Sequence, residues 1–152
     1  MQDAPVHIRR ATPADADTVA ELAAELAQSF PFSRAAFDHS YPAVLAAADA
    51  CLLLATDQAS APAAAVGYLL GFEHPAFFAN GPVAWVEEVL VRPGYRGRGV
   101  GRALMSMFEQ HAADRGCRLA ALATRRAAAF YRTLGYQESA AYFRKVLDDT
   151  TG

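Results

Sequence analysis

Between Val89 and Arg102 the chain reads VLVRPGYRGRGVGR, and its four arginines, Arg92, Arg96, Arg98 and Arg102, stand among Gly97, Gly99 and Gly101 with no acid interleaved. Glycine carries no Cβ, so consecutive N–H groups can turn into one concavity there. A β-branched run stops at Pro93 and the apolar stretch ALMSMFEQHAA follows with helical spacing. The concavity therefore falls at a helix N-terminus, where the dipole adds positive potential. Such a place binds anions, and a phosphate or pyrophosphate is its natural guest. A nucleoside triphosphatase would need Gly-Lys-Ser/Thr at the end of the loop, which is missing. A dinucleotide fold would need an acid roughly 20 residues further on, and that position falls in the apolar run Leu119 to Ala123.

The elements that must position this loop can be read along the chain. Val6 to Arg10 is a strand, and Thr12-Pro13-Ala14-Asp15 supplies a cap, a first-turn proline and a returning carboxylate. A helix to about Gln28 follows, with Val19, Leu22, Ala23 and Leu26 on one face. Phe30-Pro31-Phe32 breaks it. Ser33 to about Ala50 reads as a second helical region interrupted near Tyr41-Pro42. Cys51 to Thr56 and Ala64 to Glu73 form a hairpin of strands, and the long connection His74 to Pro82 can wall a substrate site. Val83 to Arg92 is the strand that feeds the glycine loop. Val100 to about Arg115 is a helix stopped at Gly116, Arg118 to Thr124 a buried strand, Arg126 to Leu134 a short helix, and Tyr136 to Leu147 one or two terminal strands. The last five residues are expected to fray.

The chain has 152 residues, 53 % hydrophobic and 20 % charged, which suits one domain with a single core and excludes a disordered tail protein. Its net charge of −2 gives no global attraction to nucleic acid or to a membrane, so the arginine cluster is a local feature. Cys51 and Cys117 lie in apolar runs without C-x-x-C spacing and read as free thiols, in keeping with a reducing cytoplasm. No apolar run reaches the roughly 18 residues that span a bilayer. His7, His39, His74 and His111 are scattered without ligand spacing, and no metal is expected.

The hexapeptide Arg96-Gly97-Arg98-Gly99-Val100-Gly101, an R-x-x-G-x-G sequence after a strand ending Val-Arg-Pro, resembles the coenzyme A pyrophosphate loop of the GNAT superfamily of N-acetyltransferases. The opening IRRATPADAD is similar to that family's first strand and helix, and AAAFYRTLGY to its helix bearing an aromatic–tyrosine pair. The resemblance runs from Ile8 to about Leu147. It implies a mixed α/β fold: a central, mostly antiparallel twisted sheet of six to seven strands, splayed in the middle and flanked by about four helices.

The resemblance further implies acetyl-CoA as the acyl donor. Its pantetheine would pair with backbone groups of Val89, Leu90 and Val91, and its pyrophosphate would take N–H groups from Gly97 to Arg102, Val100 included. Arg96, Arg98 and Arg102 either steer anions or sit solvated. Thr124 stands where many members have an asparagine that contacts the pantetheine arm. An alkyl ammonium must lose a proton before it attacks, so a carboxylate base is useful, and Glu87 and Glu88 lie on the strand beside the expected thioester. On a regular strand these two face opposite sides. The family pattern favours Glu87, and a bulge would swap them. Tyr131 matches the tyrosine that protonates the leaving thiolate, and a backbone N–H near Leu90 or Val91 is the expected oxyanion donor. Direct attack by the primary amine of a small molecule or peptide in a ternary complex is the leading reading. A non-catalytic coenzyme A-binding regulatory module is the alternative. Family members often dimerise, which admits a homodimer, and the choice of acceptor lies in the segments near Phe30 to Tyr41 and His74 to Pro82.

Overall fold

The structure is a computed structural model that describes residues 6–27 and 29–148. Gln28, where the first helix was expected to end, and four of the five residues expected to fray lie outside the described residues. The elements run β1 (Val6–Arg10), α1 (Ala16–Leu26), α2 (Arg34–Ala46), β2 (Ala50–Asp57), β3 (Ala64–His74), β4 (Val83–Val91), α3 (Val100–Asp114), β5 (Leu119–Leu122) and α4 (Ala128–Thr133). The chain divides after Leu122 into two compact bodies.

In the first body the five strands lie in chain order across one sheet. β1 to β4 pair antiparallel, as hairpin connections allow, and β5 joins β4 in parallel through the crossover helix α3. Alternation along the strands separates two faces. Leu52, Leu54, Tyr68 and Leu90 meet Val19, Leu22 and Tyr41 from α1 and α2. On the other face α3 presents Val100 and Leu104 to Gly67 and Phe108 to Gly71, both of which lie close enough that a Cβ would collide with its surroundings. β2, covered on both faces, is buried along its whole length.

The start of α1 follows from its cap. Thr12 donates both its N–H (2.8 Å) and its hydroxyl (3.1 Å) to Asp15 Oδ2. Arg9 grips both oxygens of the same carboxylate at 2.7 and 2.8 Å. The Arg9 hydrogen bonds lead in holding the Asp15 carboxyl down at about 2, with the Thr12 bonds adding to the effect.

Three expectations are corrected. α2 runs unbroken through Pro42, because the Tyr41 hydroxyl donates to Thr12 O at 2.7 Å and its ring stacks on Phe37 at 5.2 Å, tertiary contacts that outweigh the local bias of the proline. α2 also stops at Ala46, since Ala50 already belongs to β2. The sheet has five strands rather than six to seven, because residues 137–148 carry no regular structure. Tyr142, Phe143 and Leu147 supply a strand-like apolar pattern there, yet they are exposed, and period alone makes no strand without a ladder partner.

Candidate functional site

β4 ends in a single tight turn, Pro93–Tyr95, closed by the Tyr95 N–H on Arg92 O at 2.9 Å. The Tyr95 hydroxyl donates to Asp57 Oδ2 at 2.6 Å and lowers that carboxyl's pKa, with the Ala59 N–H assisting. Arg98 lies over the Tyr95 ring, 4.6 Å from its centroid, and donates to Gly94 O at 3.3 Å. Arg96 donates its Nε to Val91 O at 3.1 Å. These two arginines brace the loop, while Arg102 is exposed on the first turn of α3. Gly97 and Gly99 take positive φ, 73° and 84°, a region that costs other residues about 1–2 kcal/mol. Gly99 caps α3, and a Cβ on Gly97 would meet nothing within 4 Å. None of the amides from Gly97 to Arg102 donates to a protein acceptor among the described residues.

A second set of unused backbone groups lies just upstream. β5 pairs with β4 only from Val83 to Val86, so Glu87 to Val91 have no strand on that side among the described residues. The Arg92 N–H donates to Val66 O at 2.9 Å, toward β3. By alternation Val91 and Val89 turn their N–H and C=O groups to the free edge.

The two glutamates sit where β4 is irregular. Leu70 pairs with Glu88 but Gly71 pairs with Val86, so Glu87 is the extra residue of a β-bulge. The bulge overturns the expectation of opposite faces. Glu88 comes onto the face of α1 and α2, where the buried Tyr68 hydroxyl donates to its Oε1 at 2.6 Å. Glu87 remains exposed and accepts from the Trp85 indole at 2.9 Å through Oε2, and Trp85, opposite Phe72, shares the face of Leu70 and Glu88. Burial, and then the charge of Glu88, push the Tyr68 phenol pKa well up, so it stays a donor. Arg92, the first of the four arginines, turns back to β3 and α1. It donates to Ala65 O at 3.1 Å and reaches Glu25 Oε1 (3.3 Å) and Glu21 Oε2 (3.8 Å) of α1. Glu25, Leu90, Arg92 and Pro93 to Arg96 line an open depression of about 580 Å³.

In the second body Thr124 is exposed and its Oγ1 accepts the Ala127 N–H at 3.1 Å, so the hydroxyl caps the turn into α4. Tyr131 lies on α4 with its ring edge-on to Phe130 (5.0 Å) and Tyr136 (5.9 Å). Burial raises its phenol pKa above the ordinary value.

The sequence profile of the Acetyltransferase (GNAT) family matches residues 18–136. The chain belongs to the GNAT acetyltransferase family. It is 33 % identical over 154 aligned positions to an aminoglycoside N(6′)-acetyltransferase type 1 of Stenotrophomonas maltophilia, covering 93 % of this chain and 94 % of that one. It is 33 % identical over 116 positions to glucosamine 6-phosphate N-acetyltransferase 1 of Oryza sativa subsp. japonica, covering 75 % and 70 %. Its fold matches the crystal structure of an aminoglycoside 6′-N-acetyltransferase from Acinetobacter haemolyticus with TM-score 0.74 at 26 % identity, covering 93 % of this chain and 99 % of that one. The protein is thus an N-acyltransferase of the GNAT type.

Among the described residues the amides of Gly97 to Arg102 have no protein acceptor, and the β4 edge at Val89 and Val91 has no strand beside it, with Arg96 holding Val91 O. Sequence reasoning missed Tyr68, whose place opposite Leu90 in the β2–β3–β4 register was not readable before the pairing was known. It missed the Tyr95–Asp57 brace for the same reason. The Trp85–Glu87 bond, by contrast, was allowed by the spacing of two on a strand.

Proposed function

We propose that this GNAT enzyme transfers the acetyl group of acetyl-CoA to a primary amine of an amino sugar by direct attack in a ternary complex. The observation that carries the proposal is the adjacency of six successive amides at the α3 N-terminus with no protein acceptor among the described residues and the β4 edge that runs up to them with no strand beside it, where Arg96 holds Val91 O. Val89 and Val91 would hold the pantetheine as a missing strand would, and Gly97 to Arg102 would hold the pyrophosphate. Acetyl-CoA supplies the acyl group as a thioester. Arg96 would yield Val91 O to a pantetheine amide and keep its charge beside the phosphates.

The bulge sets Glu87 and Glu88 together on one face, both tied to neutral donors and neither paired to a cation among the described residues. The pair takes the proton of the acceptor ammonium, freeing the nitrogen lone pair to form the new C–N bond as the C–S bond breaks. Tyr131, kept protonated by burial, gives its proton to the departing thiolate, and the second proton that the acylated nitrogen sheds restores the phenol. Leu90, opposite Tyr68, turns its N–H to β3, so of the two expected oxyanion donors it is the N–H of Val91, on the free edge, that serves. The amino-sugar acceptor is supported by the two curated relatives at 33 % identity, one named for aminoglycosides and the other for glucosamine 6-phosphate.

The test is acetyl-CoA consumption with neamine, glucosamine 6-phosphate and a lysine peptide as acceptors. Turnover on an amino sugar at a kcat/KM well above that of the peptide is expected. Preference for the peptide would overturn the acceptor class, and CoA binding without turnover on any amine would overturn catalysis in favour of a regulatory module.

A further inference from the structure

The Tyr68–Glu88 pair differs from the ion-paired carboxylates, and it differs from Asp57, which the Tyr95 phenol also holds, in lying on β4 and in having a fully buried phenol as donor. Asp15 is gripped by Arg9, Glu73 by Arg115, and Asp17 and Asp38 by Arg34, cations that neutralise each carboxylate as they hold it. Glu88 is held by a phenol. A neutral donor fixes a carboxylate oxygen while leaving its negative charge in place, which is what a proton acceptor needs. Tyr68 is itself immobile, because its ring is buried among Val19, Leu22, Tyr41, Leu52, Leu54 and Leu90 and only the hydroxyl reaches Glu88.

We infer that Tyr68 is the positioning residue of the acceptor-side base: it pins Oε1 of Glu88 so that Oε2 is the oxygen that receives the ammonium proton. The inference rests on the reading above, in which the glutamate pair takes that proton, and it chooses Glu88 within the pair. Glu87 is tied only by an exposed bond to a residue two positions away, which water can replace, whereas Glu88 is tied to the core. Base catalysis by a side chain depends on a fixed approach, and a rotamer locked by a buried partner supplies it. The regular register on the Val91 side of the bulge makes the contact. Leu90 pairs with Tyr68 and Glu88 with Leu70, so Glu88 and Tyr68 lie diagonally on one face, and only the extra residue at Glu87 brings both glutamates there. Gly71, opposite the slip, admits Phe108 from the far face where any side chain would collide.

The test compares Tyr68→Phe, Glu88→Gln and the double variant in steady-state acetyl transfer to the best amino-sugar acceptor of the panel. Turnover is referred to the fraction of protein that binds CoA by calorimetry, so loss of folded enzyme cannot imitate loss of catalysis. Tyr68→Phe keeps the ring and is expected to lower kcat about tenfold to a hundredfold with KM for acetyl-CoA unchanged. In the Glu88→Gln background the same change is expected to have no further effect. A kcat lowered by Glu88→Gln but untouched by Tyr68→Phe overturns the inference and leaves the proposed function standing. Equal losses from Tyr68→Phe with and without Glu88 show a structural role and also overturn it. Unchanged kcat in Glu88→Gln removes the base for Tyr68 to position and overturns the inference alone, while no turnover on any acceptor of the panel overturns the proposed function with it.

Discussion

Substituting Gly99 by alanine tests the phosphate cradle without touching a side chain. Gly99 has φ of 84° and forms the N-cap of α3, with its carbonyl accepting the Ala103 N–H at 3.0 Å. An alanine held there costs about 1–2 kcal/mol, which for a chain of this size lowers Tm by roughly 2–8 °C. The chain relieves that strain by rotating the peptides on either side, and the same rotation turns the amides of Gly99 and Val100 out of the concavity. Each charge-assisted bond from an amide to a phosphate oxygen contributes about 1.5–3 kcal/mol, so losing the aim of two weakens CoA on the order of a hundredfold or more. Calorimetry should use CoA and pantetheine side by side, since pantetheine has the arm that β4 would hold but no pyrophosphate. The expected result is a large loss for CoA and none for pantetheine. A CoA affinity within twofold of the parent, or an equal loss for both ligands, would refute the cradle.

Other perturbations probe separate parts of the argument. Tyr131→Phe should lower kcat by at least about tenfold with the Kd of CoA unchanged. Because burial holds this phenol above its ordinary pKa of 10, the parent enzyme should keep its proton donor to pH 10, and an alkaline fall in rate centred below 10 would count against the assignment. Gly71→Ala places a Cβ against the Phe108 ring and should cost about 1–3 kcal/mol, seen as a lower melting temperature, and an unchanged melt would show that the slip at Glu87 is not held from that side. Asp15→Asn removes a carboxylate bonded to Arg9 and Thr12 and should cost about 1.5–3 kcal/mol at neutral pH. The carboxyl is depressed from 3.8 to about 2, so its contribution is full above pH 3.8 and is lost as pH falls through 2. The parent should therefore lose stability relative to Asp15→Asn across that interval, and parallel stability curves would contradict the Arg9–Asp15 bond.

The order of elements through α4 was legible because hydrophobic period, caps and glycine stops are local properties. Thr12 to Asp15, Gly116 and Gly135 act within a few residues of where they stand. What failed was non-local. Tyr41 keeps Pro42 inside α2 through a bond to Thr12, 29 residues earlier, and no window around Pro42 contains that contact. Residues 137–148 carry the residue types of strands, but pairing is a relation between two segments. The loop at Gly97 to Gly101 could be read as an anion cradle because its chemistry resides in the main chain of one short stretch. The glutamates could not be oriented, since their face depends on a one-residue slip against β3 that only the register reveals.

The open edge of β4 bears on how the reaction ends. In the proposed complex its hydrogen-bonding groups at Val89 and Val91, like the amides after Arg96, would meet portions of the donor that are the same before and after transfer. Affinity gained there is shared by acetyl-CoA and by spent CoA, so it lowers KM without raising kcat and makes the product a competitor for its own precursor. Telling a loaded carrier from an empty one then falls to whatever touches the acyl carbon and the sulfur, which leaves a small number of side chains responsible for the direction in which the enzyme empties.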